Sequence, residues 1–384
     1  MKMIRIVLLA VLLAMWLSPQ GAQAQEIPRT ITGVEISTVR GWWAKHYLWP
    51  YLPERSTVHP LPSLHEPGKY QSPEQMLELV RTVRRYGSGV DVIQYNPNPT
   101  SSDHNQLLAS GFLKSEEFAN RPFIVAYENA NGTRFFPPDD NGVPKDMNDP
   151  RNQQVFREDI EWIVREIILP NQSRYLTRGG KALIYIWSVA NMSGPFGALL
   201  EEAKARWPIA FIGSINSLYL PTDFESSQSF QALDGFMEYA LYPVATEEEK
   251  RAGVVDYNRM KSLYITAYIR VLDIIRRFEG RTGRRYLFIP TMQFAFDDTK
   301  WPGRRNTPMY AKSRAEVEAF AKLIDDAMNK GSFSPYGPLL KANENFEGDA
   351  VGPSQCLPET LDTPTRFVGC GYSRLEIARD FFSF

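Results

Sequence analysis

Apolar and polar positions follow two alternating spacings along most of the chain. Short, nearly continuous apolar runs, typical of strands buried on both faces, are separated by longer stretches with apolar residues at helical spacing. The short runs predict eight strands: Ile31–Ile36, Val90–Tyr95, Phe123–Tyr127, Ala182–Trp187, Ile209–Ile215, Gly235–Tyr239, Tyr286–Pro290 and Leu339–Ala342.

The stretches between these strands carry signals for the start of helices. Residues 72–75 read Ser-Pro-Glu-Gln, which predicts an N-cap, a proline at the first helical position and a capping box. Ser313 and Glu316 form a second predicted capping box. The longest helical pattern runs from Asp256 to Phe278. Further helices are predicted at Gln153–Ile168, Gly197–Arg206 and Arg374–Phe382.

Eight β/α alternations in one chain predict a single (β/α)8 TIM-type barrel, with a doubly wound open sheet as the main alternative. Two connections that follow predicted strands, Ser37–Gln71 and Asn129–Asn152, are unusually long and rich in Pro, Asn, Asp and Gly. In a barrel, such loops lie on the active face.

The N-terminal segment has the features of a secretory signal peptide. Lys2 and Arg5 precede the apolar run Ile6–Leu17, and Ala22 and Ala24 form a small-residue cleavage site. The apolar run is shorter than the roughly 20 residues that cross a bilayer. We therefore expect residues 1–24 to be removed, residues 25–384 to form the barrel domain, and the protein to be periplasmic or secreted.

Composition narrows the range of partners. The chain has 43 Lys and Arg against 44 Asp and Glu, so no basic surface for nucleic acid is indicated. Cys356 and Cys370 are the two cysteines, and an oxidising compartment favours a disulfide between them, with two buried thiols as the alternative. The four histidines show no zinc-binding spacing. We expect no metal, no cofactor and a monomeric protein.

The ends of the predicted strands are rich in carboxylate, amide and aromatic side chains. In a (β/α)8 barrel, residues at the C-terminal ends of strands and in the following loops line the site. Aromatic rings suit the C–H faces of sugars, and carboxylates and amides suit sugar hydroxyl groups. The predicted substrate-binding residues are Glu35, Trp43, Tyr95, Tyr127, Glu128, Trp187, Asn216, Glu238, Tyr239, Asp297, Asp298, Trp301 and Asn343.

Two glutamates, Glu344 and Glu347, lie three residues apart just after the last predicted strand. Glycoside hydrolysis uses two carboxyl groups, and residues at this spacing on a helical turn have Cβ atoms about 5–6 Å apart. Such proximity separates the two pKa values and provides an acid and a base at one pH. We predict that this pair is catalytic; a solvated helix face is the alternative.

Residues 343–348, Asn-Glu-Asn-Phe-Glu-Gly, resemble the N-E-W-x-E-G signature of glycoside hydrolase family 99. That family includes endo-α-1,2-mannosidases and mannanases, with WbsX-like proteins of polysaccharide gene clusters as relatives. Other segments that resemble the family, in the expected order, are His59–Tyr70, Gly89–Asp91, Phe123–Glu128, Lys181–Trp187, Asp234–Tyr239 and Phe288–Pro308.

The resemblance implies a (β/α)8 barrel and a retaining mechanism that passes through a 1,2-anhydro sugar. By position in the motif, Glu344 corresponds to the base and Glu347 to the acid/base. The chain departs from the family at Asn345, where the family has tryptophan, and at Gly352, where it often has a third glutamate. These departures bear on mannose specificity. A non-catalytic glycan-binding or polysaccharide-assembly protein, or a lyase, remains the alternative to a hydrolase of α-glycosidic bonds in a polysaccharide.

Overall fold

The computed structural model describes residues 28–46, 68–69, 71–95, 112–113, 118, 120–128, 134–137, 144–300, 306–311, 313–330, 336–342, 357–358, 367–368 and 372–382. Within these residues a barrel of parallel strands forms the centre of the molecule. Its strands are β1 Trp42–His46, β2 Ser88–Tyr95, β3 Phe123–Tyr127, β4 Lys181–Ile186, β5 Ile209–Ile215, β6 Gly235–Glu238, β7 Leu287–Ile289 and β8 Leu339–Lys341.

The sheet closes on itself. Each strand from β1 to β6 pairs in parallel with the next, and β8 pairs in parallel with β1, where Leu339 is opposite Trp43. A parallel bridge between Thr291 and Leu339 joins the chain just after β7 to β8. An open doubly wound sheet does not join its first and last strands in this way. The predicted (β/α)8 barrel is therefore confirmed.

The helices of the described residues cover the outside of the barrel. Their bounds are α1 Pro73–Arg85, α2 Pro150–Trp162, α3 Phe196–Arg206, α4 Gln228–Gln231, α5 Glu247–Ala252, α6 Tyr257–Thr282, α7 Arg314–Lys330 and α8 Ser373–Phe382. A π-helical turn, Ile163–Ile168, continues α2. Among these helices, none is long and apolar enough to span a membrane.

The predicted capping signals are found at the starts of α1 and α7. The amide of Gln75 donates to the Ser72 hydroxyl at 3.2 Å, and the amide of Ser72 donates to the Gln75 side chain at 2.9 Å. At α7 the Glu316 amide donates to the Ser313 hydroxyl at 3.3 Å. Local side-chain bonds of this kind satisfy the first amides of a helix, which is why short sequence patterns predict helix starts well.

The first barrel strand is not the one that the sequence predicted. Only Val34–Glu35 of the predicted strand Ile31–Ile36 is extended, and it pairs with Leu176–Arg178, the strand that forms a hairpin with β4. The true first strand, β1, lies within the segment that was predicted to be a long loop. Its Lys45 and His46 make the sequence look polar, although both side chains are buried.

The N-terminal end of β1 approaches its neighbour so closely that a side chain is excluded. Gly41 has a φ of +89°, and a Cβ there would lie 2.1 Å from the carbonyl oxygen of Gly87. Glycine is the residue that adopts this conformation without steric cost. The close approach brings β1 into register with β2.

The outer faces of the strands pack against the helices through aromatic residues. Phe236 on β6 lies 6.1 Å from Phe278 on α6 and stacks on Tyr286 at 5.9 Å, measured between ring centroids. Burial of each such side chain contributes about 1.5–3 kcal/mol. Because the barrel interior is filled as well, the strands are buried on both faces, which explains their nearly continuous apolar sequences.

Candidate functional site

Side chains from strands on opposite sides of the barrel meet inside its C-terminal end. Lys45 on β1 and Lys341 on β8 place their Nζ atoms 4.3 and 4.1 Å from the ring centroid of Tyr239, which follows β6. Lys45 Nζ also lies 5.7 Å from the ring of Tyr185 on β4. Trp187, just after β4, contacts Tyr239 edge to face with centroids 5.5 Å apart. These contacts across the barrel show that the five side chains point inward.

A buried amide–carboxylate pair occupies the part of the mouth formed by β2 and β3. Nε2 of Gln94 donates to Oε2 of Glu128 at 2.7 Å, and both side chains are buried. Gln94 lies near the end of β2, and Glu128 directly follows β3. Among the carboxylates of the predicted site, Glu128 is the one that lies at the mouth in the described part of the chain.

A pocket of about 220 Å³ opens at the ends of β4, β5 and β6. Trp187 and Tyr239 form one part of its wall, and Asn216 and Tyr219 in the turn after β5 form another. None of its lining side chains is charged. The lining residues are Trp187, Ser188, Ala190, Ser214, Ile215, Asn216, Tyr219, Pro221, Phe230 and Tyr239. Flat rings together with an amide and hydroxyl groups suit a neutral, polyhydroxylated ligand.

Local hydrogen bonds hold the walls of the pocket. Asn216 Oδ1 accepts from the amide of Leu218 at 3.0 Å and caps the 3-10 turn Ser217–Tyr219. The Tyr219 hydroxyl accepts from the amide of Val244, which ties this turn to the loop after β6. Nε1 of Trp187 is buried and has no hydrogen-bond partner in the described part of the chain.

Two predicted tyrosines point away from the mouth, so their placement at the site is corrected. Tyr95 stacks on Trp162 of α2 with centroids 5.3 Å apart. The Tyr127 hydroxyl donates to Oδ2 of Asp159, also on α2, at 2.7 Å. Because side chains alternate along a strand, the inward positions are those of Gln94 and Glu128 instead.

Glu238 is also behind the sheet rather than in the mouth. Its side chain is fully buried, and Oε1 accepts from the amide of Ser217 at 3.2 Å. Burial raises the pKa of Glu238 to about 7, and contacts with Ser217 lower it only in part. The charge of Glu238 in turn adds to the effect of burial on the pKa values of Tyr264 and Tyr268 of α6, raising both. The predicted position of Glu238 in the cleft is therefore corrected, because its side chain faces the helix layer.

Glu35 lies at the opposite end of the barrel. It pairs with Thr177, which is itself opposite Ala182 at the start of β4, and its Oε2 accepts from the amide of Gly179 at 2.9 Å. Glu35 was expected at the mouth because Ile31–Ile36 was predicted to be the first barrel strand, but Glu35 does not end a barrel strand. The placement of Glu35 at the mouth is therefore corrected.

Trp43 lies within β1 and not in a loop after it. Its side chain is 1% exposed, and its amide donates to the carbonyl of Pro338 at 2.9 Å. Along β1, Trp43 shares the inward face with Lys45 but lies two residues deeper. The ring therefore fills the barrel interior, which corrects the predicted loop position.

Asp297 and Asp298 accept hydrogen bonds within the segment that follows β7. Asp297 accepts from the amide and hydroxyl of Thr299 and from the hydroxyl of Tyr310. Asp298, which is buried, accepts from the backbone and side-chain nitrogens of Asn306 at 3.1 and 2.7 Å. These bonds give both carboxylates a structural role in this segment. Their predicted contact with substrate stays a prediction.

The remaining predicted site residues, Asn343, Glu344, Glu347 and Trp301, lie outside the described residues, as do Cys356 and Cys370. The structure does show where the motif begins along the chain. Strand β8 ends at Lys341, two residues before Asn343.

Three residues of the mouth were not predicted from the sequence: Lys45, Lys341 and Tyr219. Lys341 and Lys45 are register partners on adjacent strands. Side chains alternate between the two faces of a strand, so an inward Trp43 predicts an inward Lys45, and an inward Leu339 predicts an inward Lys341. This prediction requires the correct first strand.

The buried His46 belongs to an ionic network behind β1–β3. Its Nε2 lies 2.8 Å from Oδ1 of Asp91, which also pairs with Arg121, and Arg121 donates to the Ser88 carbonyl. Burial favours a raised pKa for Asp91, but Arg121 and His46 outweigh it and the pKa is lowered. The network therefore links strands. No group of three or more metal-ligating side chains occurs in the residues that the structure describes.

The protein is a (β/α)8 barrel: its parallel sheet is closed, helices lie outside the sheet, and the candidate site lies at the C-terminal ends of the strands. A comparison with models of protein families found no match, and a comparison with curated proteins found none either. Among solved structures, the GH99 endo-α-mannosidase from Bacteroides thetaiotaomicron is similar with a TM-score of 0.51 and 16% identity, over 90% of this chain and 97% of that chain.

Two further solved structures have lower scores. A fungal β-1,4-galactanase structure has a TM-score of 0.47 and 13% identity, over 89% of this chain and 99% of that chain. An α-amylase from Geobacillus thermoleovorans has a TM-score of 0.47 and 10% identity, over 89% and 78%. At 16% identity the mannosidase similarity shows the barrel fold, and membership of family 99 stays a prediction.

Proposed function

We propose that this protein is an exported glycoside hydrolase that cleaves α-glycosidic bonds within a polysaccharide. The observation that carries the proposal is the position of β8. This strand ends at Lys341, and the motif with Glu344 and Glu347 begins two residues later in the sequence, whereas Glu128 and Trp187 directly follow β3 and β4 at the same end of the barrel. Catalytic residues of (β/α)8 barrels come from these strand ends.

The uncharged aromatic pocket beside β4–β6 supports a carbohydrate ligand. Trp187 and Tyr239 offer apolar faces at right angles, with an interplanar angle of 84°, and Asn216 offers an amide. A sugar ring has both an apolar C–H face and a rim of hydroxyl groups, so it can satisfy both kinds of wall. One solved structure with a similar fold is named as an endo-α-mannosidase, which agrees with this ligand class.

The mechanism that we propose is the one that the family resemblance implies. Glu344 takes the proton of the sugar 2-hydroxyl while O2 attacks the anomeric carbon. The glycosidic bond breaks, and Glu347 donates its proton to the leaving oxygen. Glu347 then takes a proton from water, whose oxygen attacks the anomeric carbon, and O2 regains its proton from Glu344. Two inversions at one carbon retain the configuration.

The experiment that tests the proposal incubates the purified protein with a panel of bacterial and fungal polysaccharides and analyses the products by mass. Release of oligosaccharides with new reducing ends is expected for wild type, and Glu347→Gln should release few. Binding without release, in both proteins, would identify a non-catalytic glycan-binding protein. Products with an unsaturated sugar would identify a lyase.

Export has its own test. Intact mass and N-terminal sequencing of the protein recovered from the periplasm or medium should give a chain that starts at Gln25. Recovery of the uncleaved chain in the cytoplasm would contradict this part of the proposal and leave the hydrolase part standing.

A further inference from the structure

Glu238 lies directly behind the two walls of the pocket. Glu238 points toward the helices, and Tyr239, the next residue, points into the mouth. On the helix side, Oε1 of Glu238 accepts from the amide of Ser217, the first residue of the turn after β5. Residues on both sides of Ser217, namely Asn216 and Tyr219, line the pocket. One buried carboxyl group is thus joined to both walls.

The bond to Ser217 is one of few that connect this turn to the rest of the barrel. The amide of Tyr239 donates to the carbonyl of Ile215 at 3.0 Å, which is the last ladder contact between β5 and the end of β6. Beyond it, the Glu238–Ser217 bond continues the connection on the helix side. Ser217 is 2% exposed, so water cannot easily replace Glu238 as the acceptor.

A carboxyl group at this position is costly, which indicates that it has a specific use. Burial disfavours the ionised form of Glu238, and the amide of Ser217, the hydroxyl of Tyr264 and the backbone of Thr291 offset this only in part, so the pKa of the carboxyl group is raised. Burying a carboxyl group is unfavourable unless its hydrogen bonds fully compensate for the lost contacts with water. An apolar side chain of similar size would pack behind β6 without that cost. What it could not do is accept the Ser217 amide proton.

We propose that Glu238 is a positioning residue for sugar binding, which holds the turn Ser217–Tyr219 against β6 so that Asn216 faces Trp187 and Tyr239 across the pocket. The inference rests on the proposed function, because it takes the pocket as a subsite for a sugar ring. Glu238 itself does not line the pocket and does not contact the ligand. Its effect on binding is transmitted through the backbone of the turn.

The variants that test this role separate the acceptor from the charge. Glu238→Gln keeps an acceptor oxygen and the shape of the side chain, and Glu238→Leu removes the acceptor. Ser217→Pro removes the donor instead; proline is tolerated at the first position of a helical turn, and Asn216 before it has the extended conformation that a following proline requires. Asp159→Asn is the control, because Asp159 is a buried carboxyl behind β3 with no contact to the turn.

Two readouts are measured on the full chain. Hydrogen exchange of residues 214–220 reports whether the turn is held, and it needs no substrate. Glu238→Leu should speed exchange of the Ser217 amide about tenfold, the effect of losing one hydrogen bond. Steady-state kinetics should show KM for the polysaccharide raised about tenfold in Glu238→Leu and Ser217→Pro, with kcat changed less. Glu238→Gln should restore both exchange and KM, and combining the leucine and proline changes should add little.

The outcomes separate the two proposals. Unchanged exchange at Ser217 in Glu238→Leu overturns the positioning role whatever the enzyme does. Faster exchange with an unchanged KM also overturns it, and so does an equal rise in KM in Asp159→Asn. If Glu238→Leu does not fold, Ser217→Pro alone must raise KM for the inference to stand. A wild-type protein that neither binds nor cleaves any glycan overturns the proposed function, and the sugar-binding part of this inference with it.

Discussion

Lys45 and Lys341 are register partners on the first and last strands of the barrel, and both ammonium groups lie against the ring of Tyr239. The two distances to the ring centroid, 4.3 and 4.1 Å, keep the nitrogen atoms within about 8.4 Å of each other, the sum of the two. Like charges side by side on one face of a sheet are unfavourable, and the aromatic ring offsets part of that cost. Two lysine side chains thus lie inside the C-terminal end of the barrel.

The position of these two lysines leads to a prediction about the pH dependence of activity. A nearby cation favours the ionised form of a carboxyl group and lowers its pKa. Lys341→Met and Lys45→Met should therefore move the acidic limb of the pH–activity profile upward, by on the order of one pH unit. Lys322→Met, an exposed position on α7, is the control and should leave the profile unchanged. A profile that does not move in either mouth variant would contradict the argument.

The predicted catalytic pair gives the second prediction. Glu347→Gln and Glu344→Gln should each lower kcat by about 10²–10⁴-fold, the usual contribution of general acid–base catalysis. Glu248→Gln, an exposed glutamate at the start of α5, serves as a control for handling and folding. The comparison should be made at matched thermal stability, measured by circular dichroism. A rate near that of wild type in one variant would remove that residue from the assignment.

Removal of metal ions should leave activity unchanged. The carboxylates after β7 that could have bound a cation already accept hydrogen bonds, Asp298 from Asn306 and Asp297 from Thr299 and Tyr310. The measurement is the initial rate before and after dialysis against EDTA. Loss of activity that a divalent cation restores would show that a ligand set includes residues outside the described part of the chain.

Seven of the eight barrel strands could be predicted from the sequence, and the first could not. The seven are mostly apolar on both faces, because the barrel interior and the helix layer bury both sides. Strand β1 contains Lys45 and His46, whose buried side chains meet Tyr239 and Asp91 from distant parts of the chain. Those partners are not visible in a local pattern, so Ile31–Ile36 carried the stronger strand signal.

Site residues could be predicted by strand end but not by the side to which they point. Three predicted residues have side chains at the mouth: Glu128, Trp187 and Tyr239. The residues just before two of them face the helices instead, Tyr127 toward α2 and Glu238 toward α6. A shift of one residue reverses the face of a side chain. Since these strands are mostly apolar on both sides and their few polar residues are buried on either side, their sequences do not show which side is the inner one, and contacts across the barrel settle it.

The two cysteines give a prediction about the C-terminal region. A disulfide between Cys356 and Cys370 would close a loop of about 15 residues, for which chain entropy contributes roughly 3 kcal/mol. Mass analysis of the exported protein without reductant should show two fewer hydrogens than after reduction. Cys356→Ser should lower the melting temperature of the oxidised protein and have little effect on the reduced one. Two thiols that react with an alkylating reagent before reduction would contradict the prediction.

Glu238 should make the stability of the protein fall as the pH rises toward neutrality. Burial raises its pKa in the folded state to about 7, from 4.5 in the unfolded chain. Below pH 4.5 both states hold the proton and the group costs nothing. Between pH 4.5 and 7 the unfolded chain releases its proton while the folded protein retains it, so the free energy of unfolding falls by on the order of 3 kcal/mol in total. Above pH 7 the loss is complete.

Glu238→Gln cannot ionise, and so it should escape this loss. Urea unfolding at several pH values from 5 to 8 should show the variant close to wild type at pH 5 and more stable than wild type at pH 8. Asp159, whose pKa burial raises to about 6, contributes to the same window in wild type, and Asp159→Asn should remove only that separate part. A difference between Glu238→Gln and wild type that is the same at every pH would mean that Glu238 titrates alike in both states. The buried carboxyl would then be better solvated than its position behind β6 indicates.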